Sequence, residues 1–401
     1  MKFFALLLCL SSITLYAQQT GEWIPGNANT IHPRGIMLST EREEIIRFIE
    51  LNEHISLYQS LFSLAQNSIP AGNSTSNERR ERATLAKNAA FCAIIGKSVQ
   101  ANALTDLTEQ EKQSLTEKSL RILSELNTDI PELSISTPTA YEEWQWRSKE
   151  LMDALCAYDM LLGMGVKNAT MGTAKARLVL FASSLYTQST KSILGFTFFG
   201  TVKNNHALMT AGALGFAAII LSEHTSSDKA QHPSLWFQTA ITAIDDILWR
   251  AENSQSNNDG TAGYSEGPYY LRYAMLNLLP FFKSLSHYLP DTIFNYGSNN
   301  IPHPYYDTRV KNMIEWSVGI LQPDGNFPAI GDTYVNMGFP ETALLGIPTL
   351  VYPFAPEEMN RQLLTTVDMR AHYLAAHTKP ALLQKSGLSI WEEAGSAVYR
   401  T

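Results

Sequence analysis

Residues 207–221 constrain the fold more than any other stretch of the chain. Ala207, Ala211, Gly212, Ala213, Gly215, Ala217 and Ala218 alternate with Leu208, Met209, Phe216 and Ile219, and no charge interrupts them. A helix that is apolar around its whole circumference has to be surrounded by other elements. Residues 235–249 read as its complement: Phe237, Ala240, Ile241, Ile244, Ile247 and Leu248 form one stripe, with Asp245 and Asp246 off it, as on an amphipathic outer helix. Val310, Met313, Ile314, Ser317, Val318 and Leu321 predict a further half-buried helix. Helical text runs from a capping box at Thr40-Glu41-Arg42-Glu43 nearly to residue 370. Inner and outer helices in alternation imply concentric layers or an α-solenoid, although no sequence repeat is visible.

The ends of the chain read differently. Met1-Lys2, the apolar run 3–10 and the small residue Ala17 before Gln18 form a secretory leader, residues 1–17, which implies a periplasmic or secreted protein. No later segment offers the ~18 uninterrupted apolar residues of a membrane span. Gly387 to Trp391 and Ala397 to Tyr399 look like strand text. A strand begun and left unpaired marks 381–401 as the beginning of a β domain cut off at the chain end, after a helical domain over 18–380. Residues 254–263 and 295–300 are polar breaks, the first a flexible loop by composition.

Charge and cysteine content narrow the function classes. A formal charge of −8 in 401 residues argues against broad nucleic-acid binding, which needs excess Lys and Arg. Cys9 leaves with the leader, while Cys92 and Cys156 lie in apolar helical text and read as core thiols, so no disulfide framework is predicted. His372 and His377 are five apart, the wrong spacing for two zinc ligands on one helical face, and His54 and His303 are isolated. Neither a metal nor a cofactor is implied.

Two constellations carry candidate chemistry. Lys203-Asn204-Asn205-His206 opens the buried helix, where free N–H groups and the helix dipole favour an anion. The bland alternative is that an Asn merely caps the helix and His206 is a core histidine. Asp259-Gly260 and Tyr264-Ser265-Glu266-Gly267-Pro268-Tyr269-Tyr270-Leu271-Arg272-Tyr273 form the second, a glycine-rich turn feeding a helix with Pro268 at its start. Its rings can stack on sugars and Arg272 can pair with a carboxylate; an aromatic core anchor is the competing reading. Tyr141 to Lys149 adds Arg147 and Lys149 as cations available to an acidic sugar at a helix start.

Together these segments resemble the helical-toroid domain of the heparinase II/III-like polysaccharide lyases. His32-Pro33-Arg34-Gly35-Ile36-Met37-Leu38, Leu155-Cys156-Ala157-Tyr158-Asp159-Met160-Leu161, Leu321-Gln322-Pro323-Asp324-Gly325 and Ile330-Gly331-Asp332-Thr333 strengthen the likeness, which spans about residues 30–390. The resemblance implies an all-α, (α/α) toroid of helical hairpins followed by a β-sandwich. It further implies β-elimination on a uronic-acid polysaccharide: Asn205 and His206 at the substrate carboxylate, His206 as base or partner there, and Tyr270 as the acid at the leaving oxygen and a possible base. Asn204, Arg147, Glu266, Tyr269 and Arg272 would bind substrate, with Glu266 orienting the loop. The family completes its site with a His or Tyr from the following β domain, which this chain ends too early to supply. Two other classes stay open: a toroid glycoside hydrolase using a carboxylate pair drawn from Asp259, Glu266, Asp324 and Asp332, and a glycan-binding protein without catalysis.

Overall fold

A computed structural model describes residues 24–167, 169–251, 254–256, 263–320, 327–330, 370–376, 387–391 and 396–400. The residues read as a leader, 1–17, and Asp259, Asp324, Asp332 and His377 lie outside them. The protein is mainly helical. Its helices are α1 (Arg42–Ile49), α2 (Asn52–Gln66), α3 (Ser76–Ile95), α4 (Glu109–Ser124), α5 (Tyr141–Gly163), α6 (Ala169–Thr190), α7 (Phe198–Thr201), α8 (Asn205–Ile220), α9 (Pro233–Asp245), α10 (Gly267–Tyr288), α11 (Thr308–Gly319) and α12 (Arg370–Ala376). Antiparallel hairpins pair β1 (Lys97–Gln100) with β2 (Ala103–Asp106), β3 (Phe294–Tyr296) with β4 (Asn299–Ile301), and β5 (Gly387–Trp391) with β6 (Ser396–Arg400).

Local sequence explains the helix ends. Thr75 accepts the Glu78 N–H at 3.3 Å while Glu78 reaches back to the Thr75 N–H at 2.9 Å, and Thr108 and Glu111 repeat the exchange before α4. Gly96 closes α3 at φ 70°, a conformation that costs glycine little. The start at Thr40 is corrected. A 3-10 turn covers Ser39–Glu41, α1 begins at Arg42, and the reciprocal carboxylate is that of Glu41, which accepts the Leu38 N–H at 2.7 Å.

The apolar run behaves as its sequence dictates: in α8 all residues but His206 are buried. It is flanked by α5, α9 and α10, and α5 in turn packs on α3. Helices α4, α6 and α9 lie against the members of the series α3, α5, α8, α10 rather than within it. Two glycines set how closely α8 and α10 approach. A Cβ on Gly212 would meet the Asn277 backbone at 3.0 Å, and one on Gly215 would lie 2.5 Å from the Phe281 ring. The Asn277 amide exploits this proximity by donating to the Met209 carbonyl at 2.9 Å.

The series runs parallel. At one end Arg80 of α3 lies over Trp146 of α5, Tyr141 of α5 meets His206 of α8, and Asn205 of α8 bonds Glu266 at the start of α10. At the other end the last turns of α5, α8 and α10 converge on residues 32–35. Asp159 accepts the Arg34 and Gly35 N–H groups at 3.0 and 2.7 Å and pairs with His32 Nδ1 at 2.6 Å. Arg34 donates to the Ile219 carbonyl and the Ser222 hydroxyl, both at 2.9 Å, pairs with Glu223 at 2.7 Å and stacks on Tyr288.

Three further expectations change. Asp245 is buried rather than facing solvent. The helix widens into a π turn over Asp246–Arg250 just after it, and the Arg250 and Arg309 guanidiniums neutralise the carboxylate. The polar break at 295–300 is the β3–β4 hairpin, turning at Gly297 with φ 63° and burying Phe294 and Ile301. The C-terminal strand text does not leave an unpaired strand, because Leu388 pairs with Tyr399 and Ile390 with Ala397. Cys92 and Cys156 are free and buried, and burial pushes both thiols far up. No helix among the described residues is long and apolar enough to cross a membrane.

Candidate active site

The two constellations that are 61 residues apart in sequence meet at the amino ends of α8 and α10. Asn204 has extended backbone and its side-chain oxygen accepts the His206 N–H at 3.1 Å, so it is the N-cap of α8. Its oxygen is thereby committed to capping the helix. Asn205 is buried, and its backbone N–H, an unpaired donor of the first turn, is taken by Glu266 Oε2 at 3.0 Å.

Glu266 is the hinge of the arrangement. The same Oε2 accepts the Tyr264 hydroxyl at 2.9 Å. Tyr264 is fully enclosed, and burial followed by the Glu266 charge pushes its phenol well above the usual range, so it serves as a neutral donor. Gly267 with φ 83° and Pro268 then launch α10. Tyr270 precedes Asn277 by about two helical turns and therefore projects from the side of α10 that meets α8. Tyr269, Tyr270 and Tyr273 pack as a half-buried cluster, with ring centroids 5.1 to 6.4 Å apart, and the Tyr269 and Tyr273 hydroxyls are 3.2 Å apart. Arg272 is half-buried and projects from a different face from Tyr270, as an i,i+2 spacing requires.

His206 stands at the rim of the same end. Its ring meets Tyr141 edge-on at 5.8 Å, and Tyr141 in turn packs on Phe198 at 5.5 Å. Burial lowers the imidazole pKa from its ordinary value, against an opposing pull from Glu142. Its Nδ1 is enclosed without a hydrogen-bond partner among the described residues. A neutral imidazole keeps a nitrogen lone pair and is chemically able to accept a proton.

Residues around the pair fix it in place. Gln255, which sequence reading assigned to a flexible loop, is buried, donates to the Lys203 carbonyl at 2.5 Å and accepts the Ser265 hydroxyl. It clamps the two constellations together from behind; the rest of that loop, 257–262, lies outside the described residues. The Lys203 ammonium turns away to the Phe199 carbonyl and Asp246.

Arg147 and Lys149 do not belong to the site. Arg147 is 1% exposed. Its guanidinium holds Glu150 and the carbonyls of Asn127 and Asp129, and it stacks on Phe181. Lys149 is buried against Asp153, which also holds Lys87, each at 2.7 Å. Both are structural cations whose helix position only looked accessible. Of the four carboxylates weighed for a hydrolase pair, only Glu266 lies within the described residues, and it is engaged by Asn205 and Tyr264.

Compared with known proteins, the sequence matches no family model, and no curated protein is similar to it.

Proposed function

We propose that this protein is an exported polysaccharide lyase that cleaves a uronic-acid-containing chain by β-elimination, on an (α/α) toroid. The observation that carries the reading is the bond from Asn205 N–H to Glu266, which brings the Asn205-His206 turn beside the helix that bears Tyr270. The parallel series α3, α5, α8 and α10 with helices packed outside it supports a toroid of hairpins.

In this reaction the C5–H bond breaks, a C4–C5 double bond forms, and the C4–O bond to the leaving sugar breaks with proton delivery to oxygen. The difficulty is charge on the uronate carboxylate as C5 loses its proton, which preorganised donors and nearby positive potential relieve. The amino end of α8 supplies that potential and Asn205 the amide. The depressed basicity of His206 keeps it uncharged at neutral pH, which suits proton abstraction or partnership at the carboxylate. Tyr270 donates to the leaving oxygen. Tyr269 and Tyr273 offer apolar ring surface to the sugars.

Ultraviolet absorbance of the unsaturated product tests this directly. The full chain incubated with polymannuronate, polygalacturonate and glucuronate-containing glycosaminoglycans is expected to generate the signal with one of them, and Tyr270→Phe to abolish it. Lysis that persists in Tyr270→Phe removes the assignment. Reducing ends without absorbance identify a hydrolase, and binding without cleavage a glycan-binding protein.

A further inference from the structure

The aromatic surface does not end at Tyr273. Trp146 of α5 meets the Tyr273 ring edge-on at 6.0 Å, and the Arg80 guanidinium of α3 lies 4.4 Å from the centre of the Trp146 ring. Tyr270, Tyr273 and Trp146 thus form a run of rings that ends on the Arg80 cation, and Tyr141 with His206 forms a separate ring pair at the amino ends of the same inner helices. Both Trp146 and Arg80 are half-exposed.

Arg80 differs from its neighbours. Arg79 pairs with Glu150 and Arg82 with Glu125, whereas Arg80 meets no carboxylate among the described residues. It is instead held by the Ser76 carbonyl and the Asn77 side-chain oxygen, which hold the guanidinium over the indole. A guanidinium so held is ordered before any ligand arrives, keeps donors for an incoming anion, and is bidentate toward carboxylate or sulfate. It makes no direct ion pair among the described residues, in contrast to Arg147, Lys149 and Lys87 in the same helices, although it lies within the field of Glu150.

We propose that Arg80 and Trp146 form a second acidic-sugar subsite, which holds the carboxylate or sulfate of a residue distant from the bond that is cut. The proposal rests on the lyase reading for its ligand class, and it makes the enzyme selective for chains long enough to reach from His206 and Tyr270 to α3.

Calorimetric binding to the full chain carrying Tyr270→Phe tests it, with disaccharides and hexasaccharides of polymannuronate, polygalacturonate and a glucuronate-containing glycosaminoglycan, and maltohexaose as the neutral control. Adding Arg80→Gln should weaken the best acidic hexasaccharide about tenfold, the loss of one charge-assisted contact, and leave its disaccharide unchanged. Arg80→Lys, which keeps charge but not the flat fork, should show a smaller loss of the same pattern and covers the case in which Arg80→Gln melts early. Equal hexasaccharide affinity with and without Arg80 overturns the proposal. So does an equal loss for both lengths, or a hexasaccharide preference no stronger than that for maltohexaose. Cleavage is judged separately, by absorbance on the unmodified chain. If hexasaccharide binding depends on Arg80 and no lysis occurs, the lyase reading fails and the subsite stands; lysis with Arg80-independent binding is the reverse.

Discussion

The Glu266 carboxylate accepts the Asn205 backbone N–H at 3.0 Å, and with it the turn before α10 becomes the cap of a donor that α8 cannot satisfy by itself. One carboxylate oxygen thereby sets the spacing of the residues assigned to the substrate carboxylate and to the leaving group.

Glu266→Ala should therefore act on stability and activity together. It strips the Asn205 N–H and the enclosed Tyr264 hydroxyl of an acceptor, at a cost of about 1–3 kcal/mol. Chemical denaturation measures the first effect, and a fall in kcat larger than any rise in KM the second. Unchanged stability would show that the bond is not formed in solution.

Asp159 occupies the equivalent position at the opposite end. It takes two backbone N–H groups and pairs with His32 while almost wholly buried. Asp159→Ala leaves buried donors and the His32 ring unmatched and should cost about 3–5 kcal/mol in denaturant unfolding. Asp159→Asn, which keeps one acceptor oxygen, should lose less.

His32 makes the same junction pH-dependent. Burial lowers its pKa, but hydrogen bonds to Asp159 and Glu223 and the Asp159 charge outweigh burial and the net shift is upward from 6.5. Arg34 opposes that rise, and His32 and Arg34 together hold Glu223 down to about 2. A raised folded-state value means the stabilisation is full below 6.5 and is lost as pH rises through the folded value. The melting-temperature difference between the parent and His32→Gln should accordingly shrink from about pH 6 to about pH 9. A difference that grows with pH contradicts the assigned direction.

Gly215→Ala tests the contact between α8 and α10. The new methyl would lie 2.5 Å from the Phe281 ring, so the ring or the helix has to move. About 1–3 kcal/mol of destabilisation is expected from overpacking, together with reduced catalysis because Tyr270 shares α10 with Phe281. Combining it with Phe281→Leu should restore much of the loss.

What could be read from sequence was whatever local pattern determines. The burial of α8 follows from its composition, the two free thiols from their apolar surroundings, and the start of α10 from Pro268. Partners far along the chain were not legible. Arg147 looked available at a helix start because the carbonyls that consume it, at Asn127 and Asp129, belong to an upstream loop. Gln255 sits in loop-like composition, and only its three-dimensional neighbours, Lys203 and Ser265, explain its burial. Asp245 was placed off the apolar stripe as a charged residue, and only its partners Arg250 and Arg309, both downstream of α9, explain its burial. In the candidate site, the nature of the residues was legible and the Glu266 bond that assembles them was not.

The convergence on residues 32–35 bears on when the fold is completed. Arg34 depends on groups 125 to 250 residues downstream, and the Gly35 carbonyl meets His287 across 252 residues. The earliest described stretch of the chain to be synthesised is thus among the last that can dock. It has to wait for α5, α8 and α10, and closing loops of that length makes folding slow relative to helix formation. The far end of the helix series should be the last part to gain protection during refolding, with the amino ends that carry the candidate site already in place.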